Sequence, residues 1–134
     1  MLNHYLGIKT ISDPQTASLS SLEFSSLPFA PKRVYWIQDF TPQAVRGNHS
    51  HKELTQIFIM LSGKLTLEIF KGAKSNKYEI SRSSPPLIVP PGTWRIMSGA
   101  SADALLFVIA DRPYEELDYI RDWDEYLNWY SGKV

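Results

Sequence analysis

The run Leu54-Thr55-Gln56-Ile57-Phe58-Ile59-Met60-Leu61 constrains the fold more than any other part of this chain. In an extended strand Leu54, Gln56, Phe58 and Met60 point to one face, and Thr55, Ile57, Ile59 and Leu61 point to the other. Both faces are largely apolar, so the strand has to be covered on both sides and belongs at the centre of the molecule. Ser62-Gly63 then turns the chain, and Leu65, Leu67 and Ile69 alternate with Thr66, Glu68 and Phe70, which predicts a hairpin. The β-branched and aromatic run Arg33-Val34-Tyr35-Trp36-Ile37 reads as a further strand. Shorter strands are expected at 5–10, 77–81, 87–89, 94–97 and 104–109, with a weak one at 19–24 inside the Ser- and Pro-rich stretch 12–30. Residues 41–48 and 71–76 read as connections. Many short strands with regular turns imply an all-β antiparallel sandwich or barrel. The tail changes period: Asp122 and Glu125 fit a capping box, which opens a short C-terminal helix within 120–130.

The 134 residues suit a single domain, with no linker or internal repeat. Hydrophobic residues make up 43% and charged residues 21%, the balance of a globular chain. Lys plus Arg equals Asp plus Glu at 14 each, so charge gives no argument for a nucleic-acid or membrane partner. With no cysteine, disulfides, thiolate metal sites and a cysteine nucleophile are excluded. No signal-peptide pattern opens the chain and no apolar run approaches the roughly 20 residues of a membrane span. A soluble cytoplasmic protein is the expectation.

The chemistry concentrates in Arg46-Gly47-Asn48-His49-Ser50-His51, followed by Gln56 and Gly63. Two imidazoles two residues apart, just before the apolar strand and beside the cationic Arg46, can move protons near neutral pH. A structural reading stands beside this one. His49 and His51 could be a satisfied polar pair, Arg46 and Arg95 ordinary ion-pair residues, Tyr35 and Trp36 strand aromatics of which only one faces inward, and Gln56 a hydrogen-bond partner for a histidine.

The spacing His49-x-His51, Gln56, Gly63 resembles the first signature of the cupin superfamily, and Pro90-Pro91-Gly92-Thr93-Trp94-Arg95 resembles the second. Two metal-ligand positions depart: Gln56 stands where that signature has a carboxylate, and Arg95 where it has a third histidine. A guanidinium cannot ligate and repels a divalent cation, whereas a catalytic metal site typically takes about three good protein ligands. The expectation is therefore a cupin-type barrel with no metal and no cofactor.

A narrower resemblance rests on Arg33–Ile37, Arg46-Gly47-x-His49-x-His51-Lys52, Gln56, Gly63, Val89–Trp94 and Tyr114-x-Glu116-x-Asp118-Tyr119-Ile120-Arg121-Asp122-Trp123. These motifs are similar to those of the sugar 3,4-ketoisomerases, the WxcM-like cupins, over residues 30–128. The resemblance implies an all-β cupin jelly roll with a short C-terminal helix. The whole of 1–134 would form one domain whose residues 1–30 are exchanged between the chains of a homodimer. It implies moving the ketone of a dTDP-linked 4-keto-6-deoxyhexose from C4 to C3, within surface-polysaccharide sugar synthesis. On this match His51 is the catalytic base and His49 its partner or relay. Arg46 and Tyr35 position sugar or phosphate oxygens, and Gln56 and Arg95 complete the substrate site. The family's D-x-R-G-x-L element aligns with Asp13-Pro14-Gln15-Thr16-Ala17-Ser18-Leu19, which lacks the Arg. Two other classes remain open: a non-catalytic cupin that binds a sugar or nucleotide sugar, and a metal-dependent cupin enzyme resting on His49 and His51 alone.

Overall fold

The computed structural model describes residues 2–133. The strands are β1 (Asn3–His4), β2 (Lys9–Ser12), β3 (Ser18–Ser21), β4 (Arg33–Ile37), β5 (Arg46–His51), β6 (Gln56–Ser62), β7 (Lys64–Lys71), β8 (Lys74–Ser81), β9 (Leu87–Val89), β10 (Trp94–Ser98), β11 (Leu105–Ala110) and β12 (Tyr119–Ile120), and helix α1 is Trp123–Ser131. Two five-stranded sheets form the body, in the orders β1-β9-β6-β11-β4 and β12-β5-β10-β7-β8, and β2 and β3 make a separate hairpin. Every pairing is antiparallel. This is the all-β antiparallel sandwich read from the strand pattern, in the jelly-roll form that the family resemblance implies.

The core lies between the sheets. Phe58 and Met60 of β6, Leu106 and Val108 of β11, and Leu87 and Val89 of β9 face Leu65, Leu67 and Ile69 of β7, Ile80 of β8 and Met97 of β10. Each fully buried aliphatic or aromatic side chain contributes on the order of 1.5–3 kcal/mol. The second face of β6 is covered as its composition requires: Ile57 and Ile59 pack with Tyr5, Leu22, Leu27 and Phe29 of the N-terminal segment.

The chain does not make the expected hairpin at Gly63. β6 pairs with β9 and β11, whereas β7 pairs with β8 and β10, so Ser62-Gly63 carries the chain from one sheet to the other. Gly63 has φ +68°, and a Cβ there would lie 2.7 Å from the Cα of Ala104. A hairpin turn and a sheet crossover both use such a glycine, and alternation reports faces rather than partners.

Other boundaries shift. The strand expected at 5–10 is two elements, β1 and β2, separated by Tyr5 to Ile8. The weak strand at 19–24 is β3, which ends at Ser21 before a 3-10 turn at Phe24–Ser26. The connection expected at 41–48 ends early, because β5 begins at Arg46. The connection at 71–76 shrinks to Gly72-Ala73, because β8 begins at Lys74.

Helix α1 starts at Trp123, directly after the expected cap Asp122, and the residues before it, Tyr119 and Ile120, pair with His51 and Ser50 of β5. The Asp122 side chain accepts from the Glu125 backbone N–H at 2.9 Å, the half of the capping box that closes the first turn. A nine-residue helix is marginal alone. It is held by Tyr126, fully buried, against Trp94 and Trp123, at ring distances of 5.5 and 5.5 Å. The helix thus lies on the outer face of the second sheet, beside Phe70, Ile96 and Ile120, rather than across an open end of the barrel.

Candidate active site

The site is built on β5, and its geometry depends on one irregularity. Arg95 of β10 pairs with His49, but Ile96 pairs with Gly47, so Asn48 is an extra residue bulged out of the ladder. Gly47 and Asn48 have φ +91° and +55°. A Cβ on Gly47 would lie 2.7 Å from the Arg95 carbonyl oxygen, so only glycine fits the approach of β10. The bulge also resets the phase of the strand. Arg46 pairs with Met97, and so shares the inner face with His49 despite the odd spacing between them.

His49 and His51 meet edge to face, with ring centroids 4.9 Å apart. Their tautomers follow from their partners. His49 Nδ1 donates to the Gly47 carbonyl at 3.0 Å, and a carbonyl can only accept. His51 Nδ1 donates to Asp118 Oδ2 at 3.0 Å. When neutral, each ring therefore carries its proton on Nδ1 and leaves Nε2 bare as an acceptor. Burial pushes His49 down to about 4, with Arg95 adding to the effect and the Gly47 carbonyl opposing it. Burial also pushes His51 down, again with Arg95 next, then His49, Arg121 and Arg33. The Asp118 carboxylate on its Nδ1 works the other way. Burial and the nearby Arg95 thus favour the neutral form of both rings, each with its Nε2 bare.

Asp118 is itself fixed. Its Oδ1 accepts from the Glu53 backbone N–H at 2.7 Å, and its own carbonyl accepts from the Lys52 N–H at 2.9 Å. The next residue, Tyr119, lays its ring 4.3 Å from His51 and 5.0 Å from His49. Arg121 sits 4.0 Å over that ring and forks onto Glu116 at 3.0 and 2.9 Å.

A second chain of polar groups crosses the barrel. Arg95 is buried to 1% exposure, donates to the Thr93 carbonyl at 3.2 Å, and donates through Nη1 to Gln56 Oε1. Gln56 Nε2 in turn donates to the Tyr35 hydroxyl at 2.8 Å, which leaves the phenolic hydrogen free. Burial lowers Arg95 to about 10, so it stays cationic at neutral pH, while burial raises Tyr35 and keeps it a phenol.

Five of the six expected site residues therefore come together: His49, His51, Gln56, Arg95 and Tyr35. Arg46 stands apart, exposed at the far end of β5 from His51, and its side chain makes no hydrogen bond or ion pair among the described residues. The cation that bears most strongly on both imidazoles is Arg95. Trp36 faces outward at 57% exposure. Asp118, Tyr119 and Arg33 were not singled out by the sequence as site residues, although the run Tyr114-x-Glu116-x-Asp118-Tyr119 and the strand opening at Arg33 carried them. A cavity of about 140 Å³ opens beside His51, walled by Arg33, Leu54, Tyr114, Asp118 and Tyr119 among others.

No cluster of three His, Cys, Asp or Glu side chains suited to a metal ion occurs among the described residues. The donor set itself is unsuited: Gln56 is held by Arg95, and the guanidinium fills the place of a third imidazole.

The sequence and the fold are similar to those of known proteins. A curated TDP-4-oxo-6-deoxy-alpha-D-glucose-3,4-oxoisomerase from Aneurinibacillus thermoaerophilus is 32% identical over 134 residues, covering 100% of this chain and 96% of its own. The crystal structure of a sugar 3,4-ketoisomerase from Thermoanaerobacterium thermosaccharolyticum, in complex with TDP, matches with a TM-score of 0.89 at 32% identity over 96% of this chain and 93% of that one. That of a 3,4-ketoisomerase from Helicobacter canadensis matches with a TM-score of 0.86 at 35% identity, covering 94% and 95%. The family model "WxcM-like, C-terminal" matches residues 2–131. By this match, and by its likeness to sugar ketoisomerases over nearly its whole length, the chain belongs to the WxcM-like family.

Proposed function

We propose that the protein is an isomerase that moves the ketone of a TDP-linked 4-keto-6-deoxyhexose from C4 to C3. The observation that carries this reading is the His51–Asp118 pair, which presents a bare Nε2 beside a cavity. The hydrogen on C3 is acidic because it lies α to the C4 carbonyl. His51 Nε2 takes that proton, and the electron pair of the broken C–H bond becomes the C3–C4 double bond of an enediolate. Asp118 stabilises the imidazolium formed. The proton then returns at C4, the O3 proton is lost and O4 gains one, so the sugar is oxidised at C3 and reduced at C4 with no net change. His49, neutral and 4.9 Å from His51, is placed to relay the proton between the two carbons. Tyr35 offers its free O–H to the enediolate oxygen, and the Arg95–Gln56–Tyr35 chain polarises that donor toward the developing negative charge. Arg46 serves a more distant part of the substrate.

We also read the chain as one domain working as a cytoplasmic homodimer, in the synthesis of sugars for a polysaccharide. Dimerisation is supported by the outer face of the first sheet, where Val34, Trp36 and Leu61 are 47%, 57% and 47% exposed, and by the hairpin β2–β3, exposed at all of its positions. Its exchange between chains would cover that face.

The test is incubation with TDP-4-keto-6-deoxyglucose in deuterated water, followed by NMR. The expected result is a 3-keto product, with deuterium at C4 in the fraction of turnovers in which the imidazole proton exchanges with solvent before it is returned. Recovery of unchanged substrate without deuterium at C3 would overturn the assignment.

A further inference from the structure

The proposed isomerisation asks two things of neighbouring strands. The Arg95 guanidinium has to stay on Gln56 across the barrel, and the His51 ring has to stay beside its cavity. Both are supported from one short turn, Pro90-Pro91-Gly92-Thr93, which leads into β10. Its two prolines have no N–H, so the first donor of the turn is Gly92. The Gly92 N–H donates to the His51 carbonyl at 2.8 Å. One residue on, the Thr93 carbonyl accepts from Arg95 Nε at 3.4 Å and from Nη2 at 3.2 Å. The Thr93 side chain does not brace this turn, since its hydroxyl is buried with no hydrogen-bond partner among the described residues.

The brace comes from outside the barrel. Among the described residues of α1 only Tyr126 is buried. Its ring packs on Trp94 and Trp123, a place that a phenylalanine ring would also fill. The hydroxyl does something else. It accepts from the Gly72 N–H at 3.0 Å and donates to the Gly92 carbonyl at 2.8 Å, with the Phe70 carbonyl at 3.1 Å as the other acceptor in reach. A hydroxyl has one hydrogen to give, and the shorter contact takes it. Gly92 is therefore held at both its polar groups, the N–H by His51 and the carbonyl by Tyr126. Gly92 has φ +75°, and a Cβ there would lie 3.4 Å from the Trp129 ring, so the same helix closes on the turn from a second side. Gly72 and Phe70 lie where β7 turns into β8, so the hydroxyl ties the Gly92 turn to the longest ladder of the second sheet.

We infer that Tyr126 is a positioning residue for the isomerisation. Its hydroxyl fixes the turn at Gly92 and, through that turn, sets the Arg95 guanidinium and the His51 backbone relative to each other. The inference rests on the isomerase reading above. Tyr126 does not line the cavity beside His51, and its effect travels only through the turn.

The experiment compares wild-type protein with Tyr126→Phe, which removes one oxygen and keeps the ring. A control, Ile80→Val, lowers stability by trimming the core between the sheets. Steady-state kinetics uses TDP-4-keto-6-deoxyglucose. NMR of ¹⁵N-labelled, substrate-free protein follows hydrogen exchange at Arg95 Nε. Loss of a buried hydrogen bond that places reacting groups predicts a fall in kcat of about 5- to 50-fold with KM within about twofold. The Arg95 Nε–H should exchange about tenfold faster. Ile80→Val should lower the thermal midpoint and leave kcat and the exchange rate as in wild type. Three results overturn the inference: kcat of Tyr126→Phe within about twofold of wild type, a fall in kcat with Arg95 exchange unchanged, or equal losses in Ile80→Val. Should Tyr126→Phe fail to fold, Gly92→Ala, which strains the turn with the hydroxyl in place, decides by the same two readouts. The two readings fail separately. Wild-type protein that does not convert the keto sugar refutes the isomerase, while the exchange arm still judges whether Tyr126 holds Arg95. Wild-type turnover with kcat and Arg95 exchange indifferent to Tyr126→Phe refutes only the positioning role.

Discussion

Replacing Asp118 by Asn isolates what the carboxylate does for His51. The two side chains meet at 3.0 Å with side-chain exposures of 2% for His51 and 10% for Asp118, so solvent screens the contact little. At an effective dielectric near 20, a carboxylate and an imidazolium this close attract by about 4–6 kcal/mol. That attraction exists only while His51 holds the proton, so its loss falls on the transition state and intermediate rather than on substrate binding. The amide also offers an N–H where Oδ2 accepted. It would favour the tautomer with the proton on Nε2, which removes the base. The amide oxygen introduced by Asp118→Asn can still accept from the Glu53 N–H, the bond that Asp118 Oδ1 makes in the wild type, so the local backbone is kept. The expected result is a fall in kcat of about 10²- to 10⁴-fold with KM little changed, measured by NMR of TDP-4-keto-6-deoxyglucose conversion. The circular dichroism spectrum should be that of the wild type. A loss of less than about tenfold would refute the argument that Asp118 holds the tautomer and stabilises the imidazolium.

The pH dependence follows from the direction of the histidine shifts. A general base works unprotonated, so a lowered pKa extends activity toward acid, and the loss comes only as pH falls through the lowered value. With His49 near 4 and His51 also far below 6.5, kcat/KM should show no acid limb near 6.5; an inflection there, matched by histidine ring shifts in NMR, would contradict the burial argument. The dimer reading is tested at Trp36, which stacks on Phe107 at 6.4 Å on the outer face of the first sheet. Light scattering should give twice the chain mass for the wild type and the single chain mass for Trp36→Glu, and a monomeric wild type would overturn it.

Much of the fold was legible because two-sided apolar character in a strand has only one physical outcome. Ile57 and Phe58 had to be buried on opposite faces, and both are. The helix cap was legible for a similar reason: Asp122 and Glu125 are neighbours in the chain, and the bond between them is local. The chemistry of the site was half legible. Gln56 and Arg95 could be seen to break a metal-ligand pattern, and the structure shows them bonded to each other, 39 residues apart. The sheet crossover at Gly63 was not legible, since strand periodicity gives no partner. Nor was Asp118, which reaches His51 from 67 residues away, and whose role depends on two residues of pairing between β5 and β12. The bulge at Asn48 was not legible either: residues 41–48 read as a connection, and only the approach of the Arg95 carbonyl gives the reason for a glycine at 47.

The bond from Arg95 to Gln56 runs between the two sheets, and its consequence reaches beyond electrostatics. His49 and His51 belong to one sheet, and Tyr35 belongs to the other. The gap between the two imidazoles and the phenol, where the proposed reaction would place the sugar, is therefore the thickness of the barrel at its mouth. Deeper in, that thickness is gauged by Phe58, Val108, Leu67 and Met97. An enlarged or truncated side chain among these four would alter the spacing of a reaction centre it never touches. The reach of the enzyme for one sugar shape over another is in this sense a tolerance, machined by the same close packing that holds the protein together.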